Sequence, residues 1–240
     1  MTRLLVSVRD VHEALAAAQA GAHFIDLKDP ASGALGGLPP RRIARIVQAL
    51  HASHPGVPVS ATIGDVATEE LDEILRRVAS VAACGVDYVK VGVDGVLPGA
   101  SQALLQRLAA CGTAIVPVLI ADRGIDDALV RMALRERAFP ALMLDTFDKK
   151  GGSLLQRVAP VVLAAFVETV RSQGCLAGLA GALRADDLPA LVEIAPDFGG
   201  FRSAVCPGDR AGHLDPALVR ALLDRLAPRS SPRGLALAVS

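Results

Sequence analysis

Residues 4–28 read LLVSVRDVHEALAAAQAGAHFIDLK. A short apolar run, Leu4–Val8, gives way at Asp10 to the alanine-rich segment Val11–Ala20. Asp10 can accept the first helical N–H groups, and Gly21 ends the segment. A second apolar run, Phe24–Lys28, follows at once. This is one strand–helix–strand unit, short enough to return to the same sheet in parallel.

The unit repeats along the chain. Further strand-like runs are Val59–Asp65, Tyr88–Val93, Ile115–Asp122, Ala141–Thr146, Cys175–Gly181 and Phe198–Cys206. Pro39 and Pro40 open a helix reaching about Leu50. Thr68 is expected to cap the next helix, with Glu69 and Glu70 in its first turn. Later helices are expected at about 100–110, 125–138, 158–173, 186–194 and 215–227. About eight strands and eight helices in strict alternation predict a single α/β domain, a (β/α)8 TIM barrel over residues 1–227. A doubly wound sheet usually carries a glycine-rich turn after its first strand, where this chain has Ser7-Val8-Arg9-Asp10. The tail, 228–240, reads as a surface extension, expected to be disordered.

Composition narrows the functional classes. The 240 residues are 52% hydrophobic, sufficient for a large core. Lys+Arg and Asp+Glu both number 25, so no net charge draws the chain to nucleic acid or acidic membranes. Aromatics make up only 3%, too few for a base-stacking platform. No apolar run reaches the roughly 18–20 residues of a membrane span, and the N-terminal apolar stretch is too short for a signal peptide. Cys84, Cys111, Cys175 and Cys206 are widely spaced, which predicts reduced thiols and a cytoplasmic setting. Exposed Ala- and Leu-rich helix faces lead us to expect a homo-oligomer.

Lysine is rare: among the 25 basic residues only Lys28, Lys90, Lys149 and Lys150 are lysines. Lysine can lose its proton and act as a nucleophile, whereas arginine cannot. All four fall at or just past the C-terminal ends of predicted strands, where barrels build active sites. Strand alternation puts Phe24, Asp26 and Lys28 on one face, and Val89, Val91 and Val93 on the face opposite Lys90. Asp145 shares a face with Ala141 and Met143. Asp26, Lys28, Lys90 and Asp145 can therefore point at the barrel axis, with Lys149 or Lys150 reaching in from the next loop. Crowded, desolvated ammonium groups lower one another's pKa, and a neutral lysine can attack a carbonyl to form an imine. Taken singly, Asp26–Lys28 and Asp145–Lys149 also read as structural ion pairs.

An anion site is expected over the last two strands, from Gly178, Gly181 and Ala182 after strand seven and from Gly200, Arg202 and Ser203 in strand eight. Glycine lets backbone N–H groups approach a phosphate, and Arg202 offers a fork of donors. None of the five histidines (His12, His23, His51, His54, His213) falls clearly at a strand's C-terminal end, which disfavours a histidine base or metal site. Ser60 and Thr62 can face inward, but no nucleophile elbow accompanies them. Asp65 and Asp122 either assist the chemistry or cap the following helices. The loop Gly33–Gly37 either closes over a ligand or is a plain connection.

The ordered motifs carry a resemblance. They are Leu4-Leu-Val-Ser-Val-Arg9, Ile25-Asp-Leu-Lys-Asp-Pro30, Val59-Ser-Ala-Thr-Ile-Gly-Asp65, Tyr88-Val-Lys-Val-Gly92, Leu144-Asp-Thr-Phe-Asp-Lys149, Gly178-Leu-Ala-Gly-Ala-Leu183 and Gly200-Phe-Arg-Ser-Ala-Val-Cys206. From about residue 4 to 206 the chain resembles the (5-formylfuran-3-yl)methyl phosphate synthases, also called 4-(hydroxymethyl)-2-furancarboxaldehyde-phosphate synthases. The resemblance implies a lyase of methanofuran biosynthesis that condenses two molecules of glyceraldehyde 3-phosphate, losing phosphate and water, with no metal or organic cofactor. It implies Lys28 as the imine-forming lysine, supported by Asp26, Lys90, Asp145 and Lys149. The extra Lys150 leaves open which of the pair reaches in. Other Schiff-base aldolases and a non-catalytic phosphate-binding barrel are the alternatives.

Overall fold

The structure, a computed structural model, describes residues 1–208 and 210–227. The expected tail, 228–240, lies outside the described residues. Eight parallel strands close into a barrel in sequence order. They are β1 (Arg3–Val8), β2 (Phe24–Leu27), β3 (Val59–Thr62), β4 (Tyr88–Val93), β5 (Ile115–Ile120), β6 (Ala141–Asp145), β7 (Leu176–Leu179) and β8 (Phe198–Phe201). The surrounding helices are α1 (Val11–Gln19), α2 (Pro40–Ser53), α3 (Leu71–Ala82), α4 (Pro98–Ala109), α5 (Asp127–Arg135), α6 (Leu154–Arg157), α7 (Pro160–Ser172), α8 (Leu188–Ile194) and α9 (Pro216–Leu226).

Side-chain alternation sorts the core into two shells. Ile25, Leu27, Val89, Val91 and Val93 point outward and pack under the helices. A smaller interior cluster contains Leu5, Val116, Val118, Met143 and Phe198, with Tyr88 against it. Burial of these aliphatic surfaces drives closure of the barrel. Glycine makes room inside: a Cβ on Gly178 would meet the Phe198 ring at 2.3 Å.

Local signals set most boundaries. Asp10 caps α1 by accepting from Glu13 N–H at 2.9 Å, and Gly21 follows with φ +100°. Pro40 opens α2 at a position where no intrahelical N–H is needed. The expected helix 158–173 is α7, which starts at Pro160; ahead of it lies the short, unexpected α6, ended by the extended Val158. Thr68 does not cap α3: the helix begins at Leu71, and the buried Thr68 hydroxyl donates to Asp94 at 3.1 Å. The last strand ends at Phe201 rather than Cys206, since Arg202 leaves the strand conformation and Ser203–Val205 forms a 3-10 turn. Among the described residues no helix is long and apolar enough to cross a membrane.

Candidate active site

Parallel pairing sets the heights of the polar side chains. Asp26 is in register with Ser7 on β1 and Ser60 on β3, and Lys90 with Thr62. These short, inward-facing strand positions put Asp26, Lys28, Lys90 and Asp145 at the C-terminal mouth of the barrel. Together with Lys149 they line one cavity that opens to solvent. The resulting cluster contains three ammonium groups and two carboxylates.

The three lysines are not equivalent. Lys90 Nζ donates to Asp26 Oδ1 at 3.0 Å. Ser60 and Ser7 hydroxyls donate to the same carboxylate at 2.7 and 3.1 Å. Lys149 Nζ donates to Asp145 Oδ1 and to the Thr146 carbonyl, and Thr146 N–H donates to Asp145 Oδ1 at 2.7 Å. Lys28 Nζ makes no hydrogen bond among the described residues; it lies 4.0 Å from Asp145 Oδ2. Lys150 is exposed, so the lysine that enters from the β6 loop is Lys149.

The environment acts on the same asymmetry. Burial strips water from the Lys28 ammonium and lowers its pKa from 10.5 to about 8. Asp145 and Asp26 oppose the shift, while Lys149 and Lys90 reinforce it. At pH 7 this raises the neutral fraction of Lys28 by about 300-fold. Burial by itself would raise the Asp26 carboxyl, but the Lys90 and Lys28 charges and hydrogen bonds from Ser60 and Lys90 hold it below the usual range. Asp145 follows the same pattern: burial opposes ionisation, and Lys149, Lys28 and the Thr146 N–H outweigh it. Deprotonating Lys28 leaves two ammoniums facing two carboxylates, a balanced set in a poorly hydrated place.

The residues expected at the anion site divide. Gly181, Ala182, Gly200 and Ser203 line the cavity together with the Arg202 segment. Gly181 and Ala182 have positive φ, +106° and +49°. For alanine that conformation costs about 1–2 kcal/mol. Among the described residues, the Gly181, Ala182 and Leu183 N–H groups donate to no acceptor. Gly178 sits lower, inside β7 against Phe198, and does not line the cavity.

The Arg202 guanidinium does not present the expected fork. Its Nε donates to the Arg210 carbonyl at 2.8 Å. Nη1 donates to Ser7 O at 3.2 Å and Glu13 Oε2 at 2.6 Å, and Nη2 to Glu13 Oε1 at 3.1 Å and Gly212 O at 2.6 Å. All five N–H donors are therefore used, and the side chain ties the β8 loop to α1. Glu13 is 1% exposed and Arg202 6%, so this is a buried ion pair under the cavity rim.

The two loop aspartates neither cap helices nor line the lysine cavity. Asp65 accepts from Ala34 and Leu35 N–H at 3.1 and 3.2 Å, fixing the Gly33–Gly37 loop. Asp122 accepts from the Phe147 and Asp148 N–H groups and from Arg157, fixing the β6 loop. Two supporting residues escaped the sequence reading. Ser7 alternates with Leu5 on the inner face of β1, a signal present in the period-two pattern. Glu13 shares the apolar face of α1 with Ala14, Ala17 and Ala18; a carboxylate there calls for a buried cation.

Comparisons with known proteins bear on the fold and the family. A Methylorubrum extorquens relative is 39% identical over 233 residues, 96% of this chain and 93% of its own. The (5-formylfuran-3-yl)methyl phosphate synthases of Methanopyrus kandleri and Methanocaldococcus jannaschii are 35% and 34% identical, covering 94% and 91% of this chain and 99% and 97% of theirs. Among solved structures, phosphoribosyl anthranilate isomerase from Thermus thermophilus matches with a TM-score of 0.63 at 18% identity, covering 94% of this chain and 98% of its own. The 3-hexulose-6-phosphate synthase of Salmonella typhimurium matches at 0.61 and 18%, covering 94% and 100%; both show the barrel fold. Residues 4–223 match the family described as 4-HFC-P synthase, and the chain belongs to that family.

Proposed function

We propose that this chain is a lyase that condenses two molecules of glyceraldehyde 3-phosphate into 4-(hydroxymethyl)-2-furancarboxaldehyde phosphate, in methanofuran biosynthesis, through an imine on Lys28. The observation that carries the reading is Lys28 itself: a buried lysine whose Nζ makes no hydrogen bond among the described residues, beside two lysines that each hold a carboxylate.

Neutral Lys28 Nζ attacks the aldehyde carbon, and the carbinolamine loses water to give an imine. The protonated imine is an electron sink that acidifies the neighbouring C–H. Removal of that proton gives an enamine, whose carbon attacks the carbonyl of the second triose phosphate. Elimination of phosphate and water, ring closure through a substrate hydroxyl, and hydrolysis of the imine release the furan aldehyde and regenerate Lys28; over the whole cycle one inorganic phosphate and two waters are lost. Asp145, the carboxylate nearest Lys28, and Asp26 serve as proton acceptors, with Lys149 and Lys90 as the paired donors. The substrate phosphate is received by the backbone of Gly181, Ala182, Gly200 and Ser203, with the Arg202 backbone beside them. The strained Ala182 and the unpaired N–H groups beside it support this placement. Arg202's side chain shapes the loop through Glu13.

The four cysteines are free, which supports a cytoplasmic location. The test is incubation of the purified chain with glyceraldehyde 3-phosphate and mass spectrometry of the small molecules. A furan aldehyde phosphate with equimolar inorganic phosphate is expected. Retro-aldol or aldol products without the furan would favour another Schiff-base aldolase. Binding without turnover would favour the phosphate-binding barrel.

A further inference from the structure

The lysine cavity holds one anion cradle, yet the proposed reaction joins two phosphorylated molecules. A larger crevice, about 570 Å³ and open to solvent, lies across the mouth over β3–β5. It shares no lining residue with the lysine cavity but borders it along two strands. Gly92 lines the crevice two residues past Lys90, and Ile120 lines it in register with Asp145.

Leu35 stands at this junction. It comes from the β2–α2 loop but is 4% exposed, and it belongs to the barrel-interior cluster with Met143 and Val118. Met143 lines the lysine cavity, while Leu35 lines the crevice. A Cβ on Gly92 would lie 2.8 Å from Leu35 Cδ1, so glycine there is what admits the leucine. Hydrogen bonds hold the loop in place. Asp65 accepts from the Ala34 and Leu35 N–H groups, while the Gly36 carbonyl accepts from Asp29 N–H at 2.8 Å and Thr62 Oγ1 at 3.0 Å.

The crevice's polar lining is largely committed. Asp65 holds the loop, Asp94 accepts from the Thr68 hydroxyl and the Val96 N–H, and Asp122 holds the β6 loop and Arg157. Arg123 is exposed and has no hydrogen bond or ion pair among the described residues. It offers the crevice a guanidinium for a phosphate.

We propose that the crevice over β3–β5 is the half-site for the second phosphorylated aldehyde, and that Leu35 is the divider that sets its access to the Lys28 adduct. The proposal rests on the imine reading above. Two readouts on one protein test it: borohydride trapping of the first aldehyde on Lys28, and formation of the furan product, each against glyceraldehyde 3-phosphate concentration. L35F should trap at wild-type concentrations but need at least tenfold more substrate for furan formation. Wild-type furan formation by L35F overturns the proposal. If L35F traps nothing, L35A decides. It should trap normally with its half-saturation for furan formation shifted at least threefold, and unchanged furan formation overturns the proposal. A wild-type protein that traps no adduct would overturn the imine reading, and the half-site with it.

Discussion

Asp145 faces two lysines and binds only one of them: Lys149 donates to its Oδ1, while Lys28 Nζ stands 4.0 Å from its Oδ2. One ammonium is thereby fixed as the carboxylate's partner, and the Nζ of the other makes no hydrogen bond among the described residues. The same division recurs across the barrel, where Lys90 is held by Asp26.

The nucleophile assignment predicts the effect of K28R. Arginine keeps the positive charge but does not form an imine at neutral pH. We expect turnover to fall to background with an unchanged far-UV circular dichroism spectrum. Retained turnover would remove Lys28 from the reaction.

The lowered pKa of Lys28 predicts a pH profile. The reactive form is the neutral amine, so kcat/KM should rise through about pH 8 and then level. Removing the Lys149 charge with K149Q removes a cause of the lowering and frees Asp145 to favour the Lys28 ammonium. The rising limb should then move to higher pH, alongside a loss of about 10²–10⁴-fold in rate if Lys149 also transfers protons. K150Q, at an exposed position, should leave both rate and profile unchanged.

Stability should respond in opposite directions at two buried lysines. Lys28 has a folded pKa near 8 and an ordinary value of 10.5, so the unfolded chain binds its proton more tightly. The resulting penalty, about 3 kcal/mol, is complete below pH 8 and is relieved between pH 8 and 10.5. K28M should therefore raise stability at pH 7 by up to this amount. K90M leaves Asp26 buried without its cation and should lower stability by about 3–5 kcal/mol. Urea unfolding of the two variants at pH 7 measures both; a stabilised K90M or a destabilised K28M would contradict the charge accounting.

R202A should behave as a structural lesion. It leaves the buried Glu13 carboxylate with the partly exposed Arg9, 3.4 Å away, as its one remaining cation among the described residues, at a cost of up to about 3–5 kcal/mol. A large drop in the urea midpoint is expected, with any rise in KM following from the disturbed loop. A rise in KM at wild-type stability would show that the guanidinium meets the phosphate directly.

The barrel was legible because strand and helix periods alternate without interruption, and because parallel strands put Asp26, Lys28, Lys90 and Asp145 at one end of the axis. Lysine scarcity made the cluster stand out against an arginine-rich background. The Glu13–Arg202 pair was hidden because its members are 189 residues apart and meet only when β8 closes against β1. Arg202 in a glycine-rich run therefore read as a phosphate fork. Gly178 read as part of the same cradle, yet its lack of a side chain accommodates Phe198. Thr68 carried a cap signal that was overridden by its bond to Asp94 from the neighbouring loop. In each case a distant partner decided between two roles that are locally equivalent.

The most direct test is borohydride reduction of the protein with glyceraldehyde 3-phosphate, followed by peptide mapping. The account predicts a single reduced adduct of one triose phosphate on Lys28, with Lys90, Lys149 and Lys150 unmodified. An adduct on Lys90 or Lys149, or furan formation with no trappable adduct, would contradict it.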